Sequence, residues 1–157
     1  MNILVVGAGG VGASMASIAE TRSFFDSFVL ADISRERAEQ AVAELDDPGK
    51  FSAEVVDAGS VSDLVALIAK VKADIVVNAC DPRFNEPIFE ACFQSHCSYL
   101  DMAMNLSHPH PTNPYEEVGI PLGRDQLAAH ETWKERGILA LVGMGVEPRS
   151  EERRVGK

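Results

Sequence analysis

At 157 residues and 46% apolar residues, the chain is long enough for one domain with a substantial core and has the make-up of an ordinary globular protein. A formal net charge of −10 argues against sequence-independent binding of DNA or RNA, and no apolar run approaches a membrane span, so neither nucleic acid nor membrane is an expected partner. Met1 leads straight into a β-prone run without a basic secretory segment, and three cysteines without metal-ligand spacing (Cys80, Cys92, Cys97) read as reduced thiols; both point to the cytoplasm.

A first strand is predicted near residues 2–6, and it feeds into Gly7-Ala8-Gly9-Gly10-Val11-Gly12. This is G-x-G-x-x-G between a short apolar strand and a helix near 10–21 rich in small residues, the pattern of a βαβ unit that cradles a dinucleotide. Gly7 suits a tight turn off the strand, Gly9 lets backbone approach a pyrophosphate, and Gly12 lets the helix pack closely. The helix start turns unpaired N–H groups and its positive dipole end toward the phosphates. A second strand near 27–31 ends on Asp32, about 20 residues after Gly12. A carboxylate there accepts hydrogen bonds from ribose hydroxyls and repels a 2′-phosphate, which favours NAD, with NADP as the alternative because Arg35 lies three residues on. The competing reading of Arg35 is a solvated residue in the next helix, and that of Asp32 a helix cap. The cofactor-binding set from this unit is Gly7, Gly9, Gly10, Val11, Gly12, Asp32 and Ile33.

Further strands are expected near 52–56, 74–78, 97–100 and 138–142, and further helices near 34–46, 60–71, 85–95 and 123–136. Ser34 and Ser60 are placed to cap helices, Asp47-Pro48-Gly49 to end one, Pro87 to sit in a first turn, and Gly137 to stop the last helix. Strict alternation implies an α/β Rossmann fold: a doubly wound parallel sheet, strand order 3-2-1-4-5-6, with helices on both faces. Ligands in such sheets lie beyond the carboxyl ends of the strands. Asp57 and Ala58 follow the third strand, where the carboxylate either reaches an adenine amino group or caps a turn. Asn78, Ala79 and Cys80 follow the fourth and are candidate lining residues, Cys80 without any neighbour that would make it a nucleophile. Residues 102–122 form a long proline-rich connection, read either as a lid or interface or as an exposed insertion. His108 and His110 lack a third ligand in this loop, and no metal site is expected.

Together, Gly7-Ala8-Gly9-Gly10-Val11-Gly12, Val77-Asn78-Ala79-Cys80, Tyr99-Leu100-Asp101 and Gly143-Met144-Gly145-Val146-Glu147-Pro148 resemble the N-terminal nucleotide-binding domain of the saccharopine dehydrogenase family, over residues 1–148. The resemblance implies reversible hydride transfer between a nicotinamide cofactor and the C–N bond of an amino-acid-derived amine or imine, in relatives that act on saccharopine, carboxynorspermidine or lysine. It also implies a substrate domain that this sequence does not contain. The expected partner is thus a small amino-acid-derived molecule, with a homodimer as a further possibility through the incomplete sheet edge. The charged run 149–157 reads as a non-native scar or as a solvated native tail. Asp101 is the one candidate for the catalytic general base in this chain, beside a structural role. A non-catalytic dinucleotide-binding or redox-sensing module is the alternative to an enzyme domain.

Overall fold

The computed structural model describes residues 1–145, so Val146, Glu147 and Pro148 of the last motif and the charged run 149–157 lie outside the described residues. Strands β1 (Asn2–Val6), β2 (Ser27–Asp32), β3 (Phe51–Val55), β4 (Ile75–Asn78), β5 (Ser98–Asp101) and β6 (Ala140–Leu141) alternate with α1 (Gly10–Glu20), α2 (Arg35–Ala43), α3 (Val61–Val71) and α4 (Asn85–Gln94), then α5 (Arg124–Ala128) and α6 (His130–Glu135). The strands pair in parallel in the order β3-β2-β1-β4-β5-β6, the doubly wound Rossmann arrangement that the alternation predicts. Among the described residues no helix is long and apolar enough to cross a membrane.

Central parallel strands are covered on both faces, which is why Ile3–Val6 and Phe28–Ala31 read as unbroken apolar runs. Alternate residues serve opposite layers. Ile3, Val5, Phe28 and Leu30 face α1 and α2, whereas Leu4, Val6, Val29 and Ala31 face α3, α4 and Trp133 of α6. The layers are packed differently. Helices α1 and α2 bury Gly12, Ala16 and Ala19, then Ala38 and Ala41, and the rings of Phe25, Phe28 and Phe51 fill the remaining volume. Helices α3 and α4 instead bury Leu64, Leu67 and Ile68, then Ile88, Ala91 and Cys92, each at i, i+3, i+4.

Ser34 and Ser60 cap α2 and α3 by accepting from Arg37 N and Asp63 N, both at 3.3 Å, and Pro87 sits in the first turn of α4. Helix α2 stops at Ala43, earlier than the expected 46, and Asp47-Pro48-Gly49 belongs instead to a short 3-10 turn. The single helix expected over 123–136 is two, because Ala129 has ψ 0 and interrupts the hydrogen-bond ladder between α5 and α6. Strand β6 has two residues rather than five. Beyond Leu141 the next backbone donor turns away, since Gly143 N donates to the Asp101 side chain and Met144 N to the Asp101 carbonyl. Helices α3 and α4 both end through a non-glycine residue in the left-handed region, Lys72 (φ 52) and His96 (φ 55), with Ala73 N and Cys97 N reaching back to Ile68 O and Cys92 O.

The long connection is less loose than its sequence. His108 and Ile120 pair across it, Asn105 N donates to Gln126 Oε1, and Gly123 N donates to Asn105 O, while Tyr115 and Val118 stand exposed near its tip. His110 accepts from Asn113 N at 3.2 Å and faces Glu117 at 3.5 Å. Among the described residues no group of three His, Cys, Asp or Glu side chains is arranged to hold a metal.

Candidate cofactor-binding site

A groove of about 330 Å³ crosses the carboxyl ends of β1, β2, β3 and β4, lined by Gly7, Gly9, Asp32, Ile33, Asp57, Ala58, Ala79 and Cys80, among others. Its floor is the glycine turn. Gly7 has φ +107, and a Cβ there would lie 2.9 Å from the Ala79 backbone. At Gly12 a Cβ would lie 2.0 Å from Gly7 O, so the helix start closes onto the turn only if this residue has no side chain. Above Gly9 and Gly10 the space is open, with no atom within 4 Å of where a Cβ would lie. Helix α1 begins there without a side-chain cap, so Gly10 and Val11 bring its first N–H groups to an open space of the kind a pyrophosphate fills.

Asp32 is buried at the end of β2, with Oδ2 accepting from Ala8 N and Oδ1 from Ser34 N, both at 2.9 Å. The guanidinium of Arg37 reaches the same carboxylate at 3.1 Å. Burial pushes the Asp32 carboxyl upward, but the N–H groups of Ser34 and Ala8 together with Arg37 outweigh it and hold the group below its ordinary range. Arg35, the cation singled out in the sequence, pairs instead with Glu39 across one helical turn. Arg37 lies at the third position of α2, which faces back over the cap; that spacing was the available signal for it. Ile33 is exposed at the groove edge.

Asp57 accepts from Gly59 N at 2.8 Å, so its carboxylate caps a turn while also lining the groove. Ala79 and Cys80 line it from the turn that follows β4. Burial, with Asp32 and Asp81 adding to it, pushes the Cys80 thiol up to about 11, and its Sγ–H donates to Val6 O. Asn78 does not reach the groove surface; it is buried beneath it and holds Cys80 N at 2.9 Å. Asp101 is also buried, 1% exposed, and takes three donors: Gly143 N at 2.6 Å, Gln126 Nε2 at 2.6 Å and Tyr99 Oη at 2.9 Å. Arg83 and Phe84, which the sequence did not single out, complete the groove wall, the guanidinium 4.9 Å from the ring centroid.

A parallel sheet in this order, a glycine turn cleared for phosphates and an acid–cation pair at the end of β2 define a domain that binds a nicotinamide dinucleotide. The chain belongs to the family described as saccharopine dehydrogenase NADP-binding domain, which matches residues 3–141. It is 33% identical over 159 residues to carboxynorspermidine synthase of Vibrio alginolyticus, covering 94% of this chain and 37% of that protein. It is 30% identical over 146 residues to carboxyaminopropylagmatine dehydrogenase of Synechocystis, covering 93% of this chain and 34% of that one. The chain therefore spans little more than a third of the length of these curated relatives. Apo saccharopine dehydrogenase (L-Glu forming) from Saccharomyces cerevisiae shares the fold, with a TM-score of 0.67 at 15% identity over 94% of this chain and 28% of that structure.

Proposed function

We propose that residues 1–148 are the cofactor domain of an NAD(P)-dependent oxidoreductase that moves hydride between nicotinamide and the C–N bond of an amino-acid-derived amine or imine. The cleared glycine turn facing the Asp32–Arg37 pair carries this reading, and membership of the family supports it. The names of the two curated relatives denote carboxylated polyamines, so a carboxylated polyamine is a better candidate substrate here than lysine itself. The bound dinucleotide would supply the hydride chemistry. The chain's own part is orientation. The N–H groups at the start of α1 hold the pyrophosphate, Asp32 takes the ribose of the adenine half, and Ala79 and Cys80 give the cofactor a low wall to cross toward β5.

Arg37 makes the site fit for both dinucleotides. Its side chain is 57% exposed and meets Asp32 through Nη1, which leaves the rest of the guanidinium open to a 2′-phosphate. NADH and NADPH titrated calorimetrically into this chain should both bind. Arg37→Ala should weaken NADPH about tenfold, the value of one charge-assisted contact, and leave NADH within about twofold. Absence of binding by either dinucleotide would sink the reading, and an unchanged NADPH affinity in Arg37→Ala would remove Arg37 from it.

A further inference from the structure

Behind the β4–β5 side of the groove lies a mesh of buried polar side chains that cofactor chemistry does not call for. Asn78, Asn85, Asp101 and Gln126 are each no more than 6% exposed, and Tyr99 is fully buried among them. Polar groups are placed at such depth at a cost unless each finds a partner. Here they do: Asn78 Nδ2 donates to Asn85 Oδ1 at 2.7 Å, Asn85 Nδ2 to Ala103 O at 2.6 Å, and Tyr99 Oη and Gln126 Nε2 to Asp101. Asn78 Nδ2 also faces Tyr99 Oη at 3.4 Å, which joins the two parts into one chain of contacts.

Four contacts from this chain grip the backbone of three loops. Asn78 Oδ1 holds Cys80 N in the groove wall, Asn85 holds Ala103 O, Gln126 Oε1 holds Asn105 N, and Asp101 Oδ1 holds Gly143 N. The β4, β5 and β6 loops are therefore set by one buried network. They border the half of the sheet over which the nicotinamide end of a dinucleotide runs. A second cavity of about 370 Å³ adjoins the groove there, sharing Asp81 and Arg83 with it and lined also by Asn105.

We infer that Asn78, Asn85, Tyr99, Asp101 and Gln126 are positioning residues, which hold the nicotinamide half of the cofactor in register with the neighbouring cavity by fixing the backbone of three loops. The inference rests on the dinucleotide reading of the groove. It assigns Asp101 a role other than general base: its carboxylate receives three donors from the protein and acts through Gly143 and Gln126 rather than on a reacting atom.

The test separates the two halves of the ligand. NADPH and adenosine 2′,5′-bisphosphate, which lacks the nicotinamide half, are titrated into the unsubstituted chain, Asp101→Asn and Tyr99→Phe, with thermal melting recorded for each. The substitutions should weaken NADPH about tenfold while the bisphosphate changes by less than about twofold. An equal loss for both ligands, or none for NADPH, would overturn the inference. A merely structural role gives the equal loss. If Asp101→Asn does not fold, Tyr99→Phe decides on the same readout, since its ring keeps its contacts with Phe89 and Trp133. An unsubstituted chain that binds neither ligand refutes the dinucleotide reading and this inference together; a chain that binds NADPH equally well in all three forms refutes the inference alone.

Discussion

The β1–β2–β3 half of the sheet meets the groove with glycine backbone, the Asp32–Arg37 pair and the turn-capping Asp57, whereas the β4–β5–β6 half backs it with a buried network of side chains. The first half has strands of five or six residues, alanine-faced helices and a turn in which two glycines remove every obstacle. The second has strands of four, four and two residues, and the shortfall in backbone ladder is made up by Asp101, Gln126 and the two asparagines. Phosphates and ribose are common to every dinucleotide and suit a surface built from main chain. Placing a reactive ring against a substrate demands loops with defined positions, and side chains anchored at depth provide them.

The largest effect is expected where the first half has no slack. In Gly12→Val the new Cβ would meet Gly7 O at 2.0 Å, so the turn must open. An opened turn moves its N–H groups off the phosphates, and losing two such charge-assisted contacts costs on the order of 3 kcal/mol, about 100-fold in affinity. Calorimetry should show NADPH binding lost in a chain whose circular dichroism is preserved, and binding within tenfold of the parent would contradict the close-packed turn. A smaller effect should follow from Asp32, whose carboxyl is held below its ordinary value of 3.8 in the folded state. Its stabilisation is complete above the unfolded value and is lost as pH falls from about 4 through the lower folded value. Melting temperature should accordingly drop more steeply below about pH 4 in the parent than in Asp32→Asn. Parallel pH profiles would show that the Ala8, Ser34 and Arg37 contacts contribute no net stability. The smallest effect concerns Cys80, at the seam of the two halves. With its thiol pushed up to about 11, alkylation mapped by mass spectrometry should be slow at neutral pH and keep rising well past the range of an ordinary cysteine. A plateau near pH 8.5 would mean a more open seam than the structure shows.

The first half was readable in the sequence because its causes are local. Glycine spacing, an apolar run on either side and a terminal acid lie within residues 2–32, and the caps at Ser34 and Ser60 each depend on a residue three positions away. Arg35 and Arg37 show where local reading fails: both stand near Asp32 in sequence, and only the helical phase of α2 decides which of them points back to it. In the second half the strand ends were readable but their surroundings were not. Asp101 marks the end of β5, yet its partners Gln126 and Gly143 lie 25 and 42 residues away. Asn78 was likewise placed at the right strand end and on the wrong side of the groove wall, because pairing with Asn85 draws it inward. The break at Ala129 has no sequence signal, alanine being a good helix former.

Lys72 and His96 close α3 and α4 in the left-handed region, each roughly 1 kcal/mol uphill for a residue with a side chain. Both precede the amino ends of β4 and β5, opposite the edge where the groove lies. The fold therefore keeps its conformational debts at one pole and its ligand contacts at the other. A glycine at either joint would relieve that strain without touching the groove.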